Sequence, residues 1–166
     1  NNAYVTITNG NAYFGNIAPN STVTVNNAFS FTVSPNIPDS HAVSFILNST
    51  DGADNWISYI SIVGHAPNIK FKQYVINDEG GNGNGLLDPG EIAPMTITVE
   101  NQGSLTAYNV VGMLTTTDPN VTILTSQPQS MDDINAGGTS TCEFIVSASA
   151  NIPAGYTADL TLNLNA

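Results

Sequence analysis

The sequence predicts an all-β protein of antiparallel β-sandwich modules in tandem, the first module incomplete and the second lacking its last strand. Three observations carry this. Short alternating or β-branched runs recur with turn signals every ten residues or so, the rhythm of sandwich strands. No stretch sustains a 3.6-residue period, so no helix longer than about one turn is expected. An internal repeat ties the first third of the chain to the last.

The elements follow in order. Ala3 to Thr8 sets Val5 and Ile7 on one face, and Asn9-Gly10-Asn11 turns the chain. Ser21 to Val25 and Ala28 to Val33 read as strands, the second with Phe29, Phe31 and Val33 aligned, until Ser34-Pro35-Asn36 breaks the run. Ala42 to Asn48 aligns Val43, Phe45 and Leu47, and Asp51-Gly52-Ala53-Asp54 is a loop. Trp56 to Val63 is a strand that Pro67 closes off, and Ile69 to Val75 leads into an acidic loop. Met95 to Glu100, Ala107 to Leu114, Asn120 to Leu124, Thr141 to Ser147 and Tyr156 to Asn163 complete the set.

The acidic loop, Asn77 to Glu91, holds four carboxylates, five glycines and three asparagines. Hard cations such as calcium take oxygens from carboxylates, amides and backbone carbonyls. With Asn82 at position 3 of a twelve-residue calcium loop, Asn84 falls at 5, Gly85 at 6, Leu86 at 7, Asp88 at 9 and Glu91 at 12. Position 6 needs glycine for the sharp turn, position 7 offers a carbonyl, and position 12 wants a bidentate Glu. Position 1 is Gly80 rather than Asp, so Asp78 or Glu79 must fold back to supply that charge. The predicted ligands of one calcium are therefore Asp78, Asn82, Asn84, the Leu86 carbonyl, Asp88 and Glu91. The bland alternative is a glycine-rich hairpin that binds nothing, but four crowded carboxylates without a cation would repel one another.

The repeat keeps its order. Val5 to Thr8 matches Val121 to Leu124, and Gly15 to Thr22 matches Asp132 to Thr139. Phe29 to Val33 matches Cys142 to Val146, Asn36 to His41 matches Asn151 to Tyr156, and Phe45 to Asn48 matches Leu160 to Asn163. A full unit would run from about Pro67 to the counterpart of His65, with the boundary near Ala66 to Ile69. Residues 1–66 then form the C-terminal part of a first Ig-like repeat. Residues 67–166 form a second, with an N-terminal cation loop but without its last strand. The chain reads as a window from a longer array. On that phasing Phe29, Phe31, Phe45 and Val43 are uncovered in the first copy, and Cys142, Phe144, Val146, Leu160 and Leu162 in the second. Exposed sheet edges invite strand addition from another chain, so head-to-tail assembly, into a filament or stalk, is the expected remedy.

Composition narrows the partners. The 166 residues carry 13 acids against two basic residues, Lys70 and Lys72, for a net charge of −11. Phosphate backbones demand Lys and Arg, so nucleic acid is excluded, and an anionic membrane surface is disfavoured. No apolar run is long enough to span a bilayer and no signal peptide is visible. A lone cysteine, Cys142, rules out an internal disulfide and a cysteine-rich zinc site. Abundant Thr, Ser and Asn suit an exported β-protein, which would need a staple other than a disulfide.

Asn82-Gly83-Asn84-Gly85-Leu86-Leu87-Asp88-Pro89-Gly90-Glu91, a strand, and then Asn101-Gln102-Gly103-Ser104-Leu105-Thr106-Ala107-Tyr108-Asn109-Val110 resemble the Ig-like, CARDB-type modules of secreted Bacteroidota proteins. Val5 to Thr8 and Phe29 to Asp39 resemble the second half of the same module. Such modules often accompany gingipain-like cysteine peptidases exported by type IX secretion. The resemblance implies a β-sandwich with an accessory or adhesive role, extracellular or on the cell surface. It assigns no ligand.

Side chains that could carry chemistry are few. His41 reads as a strand-start residue, and His65 beside Pro67 as part of a linker. Cys142, on an inward face, reads as a small hydrophobe rather than a nucleophile, with no histidine in reach by the repeat pattern. Asp132-Asp133 reads as a solvated turn, and Asp51 with Asp54 is a weak second cation loop. Trp56 and Tyr59 face opposite ways, one expected to fill the core and the other to offer a sugar-stacking platform. Three function classes follow. The first is a non-catalytic, calcium-stabilised structural or adhesive module, with neighbouring repeats, copies of itself, a glycan or a host surface protein as partners. The second is a carbohydrate-binding module, and the third an accessory region of a secreted gingipain-like peptidase.

Overall fold

A computed structural model describes residues 2–153 and 155–166. Among them the chain is all-β and antiparallel, with no helix. It divides into two compact units, Asn1–His65 and Ala66–Ala166.

Unit 1 contains β1 (Val5–Asn9), β2 (Ser30–Val33), β3 (Ala42–Thr50) and β4 (Asn55–Val63). β1 pairs with β2, with Val5 opposite Val33 and Ile7 opposite Phe31. β3 and β4 form a hairpin in unbroken register from Ala42 opposite Val63 to Thr50 opposite Asn55. Its turn is fixed by Asp51, whose Oδ1 accepts from the amides of Ala53 at 2.9 Å and Asp54 at 2.8 Å. The two pairs meet where the Phe31 and Phe45 rings lie 5.1 Å apart.

Unit 2 contains β5 (Ile69–Ile76), β6 (Ile92–Asn101), β7 (Ala107–Thr116), β8 (Val121–Ile123), β9 (Gln129–Ile134), β10 (Thr139–Ala148) and β11 (Leu160–Asn165). One sheet runs β5-β6-β10-β8 and the other β11-β7-β9, and one apolar core draws on both, the pattern of a β-sandwich. The central strands alternate as a half-buried pleat requires. Ala93, Met95, Ile97 and Val99 on β6, and Cys142, Phe144, Val146 and Ala148 on β10, are buried. Val110, Leu114, Met131 and Ile134 face them from the second sheet.

Several sequence expectations need correction. Ser21 to Val25, Ala28 and Phe29 are not in strands, and Tyr156 to Asp159 precede β11 rather than belong to it. β9 was not foreseen, because a bulge hides its period. Asp132 sits at φ 56°, the register with β7 shifts there, and the buried residues Met131 and Ile134 are three apart instead of two. Phe144 and Val146 are fully buried and Cys142 nearly so, and Leu160 and Leu162 pack against the same core. The face expected to be bare in unit 2 is thus covered by β6 and β7. In unit 1 Val43 is buried and Phe45 half-buried, while Phe29 and Phe31 are exposed.

Equivalent hydrogen bonds recur in the two units. Ser34 N donates to Tyr4 O at 2.8 Å, and Ser149 N to Asn120 O at 2.8 Å. Ile37 N donates to Ser34 O at 3.1 Å, and Ile152 N to Ser149 O at 3.1 Å. Tyr4 N reaches Asn2 Oδ1 at 2.9 Å, and Asn120 N reaches Asp118 Oδ1 at 2.8 Å. These bonds make Val33 the counterpart of Ala148, Phe31 of Val146 and Phe29 of Phe144, two residues from the match drawn by sequence. Upstream, Ser21 N donates to Ala18 O as Gly138 N does to Asn135 O, so the original match holds there. Asn26-Asn27, with Asn27 at φ 55°, is a two-residue insertion between the two stretches. Cys142 therefore corresponds to Val25 rather than Phe29.

Candidate cation loop between β5 and β6

Residues 77–91 join β5 to β6, and backbone bonds at both ends fix them to the sandwich. Asn77 N donates to Pro94 O at 2.8 Å, Gly90 N to Ser149 O at 3.3 Å, and Ala148 N to Glu91 O at 2.9 Å. Gly83, Gly85 and Gly90 have φ of 72°, 75° and 79°, a conformation that would strain residues with a Cβ.

Asp78 is the pivot. It is buried, and its carboxylate folds back beneath the loop. Oδ2 accepts from Asn84 N at 2.8 Å and Oδ1 from Gly85 N at 3.1 Å, positions 5 and 6 of the expected frame. The Asp78 carbonyl accepts from Gly81 N at 2.7 Å. Asp88 receives two amides on one oxygen: Asn82 Nδ2 and Asn84 Nδ2 reach Oδ2 at 2.6 and 2.8 Å. The amide oxygens of Asn82 and Asn84 accept from the backbone of Asn84 at 3.0 Å and Leu86 at 2.7 Å. Glu91 closes the far turn, its Oε2 accepting from Asp88 N at 2.9 Å while its own N donates to Asp88 O at 3.0 Å. Its Oε1 lies where a Cβ on Gly81 would stand, which brings the two ends of the loop together. The Leu86 side chain points to solvent.

The loop thus gathers Asp78, Asn82, Asn84, Asp88 and Glu91 into one hydrogen-bonded knot. A carboxylate offers about four acceptor sites, so those engaged by two donors or one keep capacity for a cation. The donor set, carboxylates with amide oxygens and carbonyls, is the chemistry of a hard cation such as calcium. Among the described residues, no group of three or more His, Cys, Asp or Glu side chains is placed to hold a metal ion. The loop contains no basic residue, and Lys72 is engaged 3.0 Å from Glu100 Oε1, which holds that carboxyl below its usual range.

Elsewhere the chemistry is sparse. Burial pushes the Cys142 thiol up to about 11, so it stays protonated at neutral pH and is a poor nucleophile. Asp132 and Asp133 line a shallow groove with Asn109, Val111 and Ser130, and Asp133 Oδ1 accepts from Asn109 N at 2.9 Å. Asp51 is held below the usual carboxylate range by the amides of Asp54 and Ala53, the work of a tight turn. His41 is half-buried, 3.1 Å from Asn2 Nδ2 and edge-on to Tyr4. His65 is exposed. Trp56 and Tyr59 are both exposed, so neither fills the core as expected. They stand on opposite faces of β4 and make no shared platform.

Sequence reasoning missed Asn101, fully buried at the end of β6. Its Oδ1 accepts from the amides of Asn68 and Gly103, both at 3.0 Å, and its Nδ2 donates to Leu105 O at 2.7 Å and Ile134 O at 2.9 Å. This one side chain ties the start of β5, the β6–β7 turn and the end of β9. The Asn-x-Gly sequence was its only trace. No helix among the described residues is long and apolar enough to cross a membrane. No protein family, curated protein or solved structure matches the chain.

Proposed function

We propose that the chain is a non-catalytic, calcium-stabilised structural or adhesive module of a secreted or cell-surface protein, of the Ig-like, CARDB-type kind its motifs resemble. The observation that carries the reading is the buried Asp78 carboxylate, folded onto the backbone amides of Asn84 and Gly85, in the same hydrogen-bonded loop where the Asn82 and Asn84 side chains meet Asp88 and Glu91 holds the Asp88 amide. That knot is tied to the end of β10 through Gly90, which donates to Ser149 O, and Glu91, whose carbonyl accepts from Ala148 N. A cation there would neutralise carboxylates that have no basic neighbour in the loop.

A ligand that binds only the folded state stabilises it by mass action, about 2.7 kcal/mol at a hundredfold excess over its dissociation constant. Unit 2 should therefore melt lower in chelator than in calcium, and Asp88→Ala should abolish the difference. Equal melting in calcium and chelator would reduce the loop to a turn.

A further inference from the structure

Unit 1 and unit 2 treat equivalent apolar positions in opposite ways. Phe144 and Val146 are 0% exposed, whereas their counterparts Phe29 and Phe31 are each 43% exposed. Ile134 is 1% exposed and its counterpart Ile17 is 52% exposed. Two of the three pairs are identical residues, the third sets Phe31 against Val146, both apolar, and the surrounding turns carry the same hydrogen bonds, so side-chain chemistry does not account for the difference.

The missing partners do. In unit 2, β10 is ten residues long because β6 pairs with it from Thr139 to Ser147, while β8 touches only Val146 to Ala148. In unit 1 the β8 counterpart, β1, is present, and β2 is only four residues long. The strand stops where pairing with a β6-like neighbour would have to carry it on. β9 pairs only with β7. Its counterpart, near Phe14 to Ile17, keeps apolar residues at the Met131 and Ile134 positions but has no strand structure. Among the described residues unit 1 holds counterparts of β8, β10 and β11, and nothing equivalent to β5, β6 or β7. An edge without a partner leaves backbone groups unpaired, and a β-strand is stable only within a sheet.

We propose that the open face of unit 1, bounded by the free edges of β2 and β3, is the seat for a three-stranded segment of the β5–β7 type from a further repeat of this kind. The register follows from unit 2. A β6-like strand pairs along residues 22–25 and 28–32, with a Met95-type residue opposite Phe29 and an Ala93-type residue opposite Phe31. A β7-like strand pairs along β3, with a Leu114-type residue opposite Leu47, and its other edge takes residues 13–17 as a strand. This inference does not depend on cation binding, since it rests on equivalences outside the acidic loop.

The test extends the full chain by a second copy of residues 66–117, placed directly ahead of Asn2 because Thr117 occupies the position equivalent to residue 1. Hydrogen exchange is read on both forms, with unit 2 as the internal control. In the extended chain, amides of residues 13–17 and 22–29 should slow by about a hundredfold or more, as strand amides do. Phe31→Asp in the extended chain should return them to fast exchange while leaving unit 2 protected. The proposal is overturned if those amides exchange equally fast with and without the added segment. It is also overturned if the unextended chain already protects them by self-association, seen by sedimentation, because the occupant would then be a second copy.

Discussion

Asn101→Ala removes four side-chain hydrogen bonds at a fully buried position. It leaves two amides, of Asn68 and Gly103, and two carbonyls, of Leu105 and Ile134, without that partner. A buried polar group stripped of its partner costs about 1–3 kcal/mol. The bonds to Gly103 and Ile134 are buried and those to Asn68 and Leu105 part-buried, so counting the buried pair alone the variant should lose about 2–4 kcal/mol. In a domain of this size that lowers the melting temperature by roughly 8–30 °C. The assay can be unit-specific. Cys142 is the only thiol and is buried in unit 2, while Trp56 is the only tryptophan and lies in unit 1. Thiol labelling through a denaturant series should therefore show a large fall in midpoint, with tryptophan fluorescence unmoved. A loss below about 1 kcal/mol would refute the reasoning, since water or a neighbour would then satisfy all four groups.

Gly103→Ala should also destabilise unit 2 selectively, because a Cβ there meets the Ala66 carbonyl and the Asn68 amide; unchanged thermal melting would show that this turn can shift. The Cys142 thiol has a folded pKa of about 11 against 9.0 for the free group, so its contribution is intact below pH 9 and is lost as pH rises through 11. Unit 2 should weaken over that window, and Cys142→Ala should flatten the profile in a melting series from pH 8 to 11. β3 is paired by β4 along the edge that is free on its counterpart β11. A copy of Asp51–His65 fused after Asn165 should thus add a strand with an Ile60-type residue opposite Leu160, raising the unit 2 midpoint; an extension that stays in fast exchange would contradict that register.

The fold was most legible where both the pleat and its partner were intact. Met95 to Val99 and Cys142 to Val146 alternate cleanly, and both lie in strands. Ser21 to Val25 has the same kind of pattern and forms none, because a strand is made by its neighbours as much as by its own residues. β9 was invisible because the bulge at Asp132 broke the period that would have revealed it. In the loop, the spacing of Asn82, Asn84, Asp88 and Glu91 marked an oxygen-rich turn. The role of Asp78 could only be guessed, since it lies outside the twelve-residue frame and acts by folding back. Asn101 left only the Asn-x-Gly trace of its turn, because the two partners that make it a tie, Asn68 and Ile134, lie 33 residues away on either side.

The most direct test of the cation reading is calorimetric titration of calcium into the chelator-treated full chain, with Asp78→Asn and Asp88→Ala alongside. The reading predicts one saturable site per chain, lost in Asp88→Ala and weakened in Asp78→Asn, and a unit 2 melting temperature that rises with calcium as the binding isotherm fills. No heat of binding and no thermal shift at millimolar calcium would mean that the knot around Asp78 is held by its own hydrogen bonds alone.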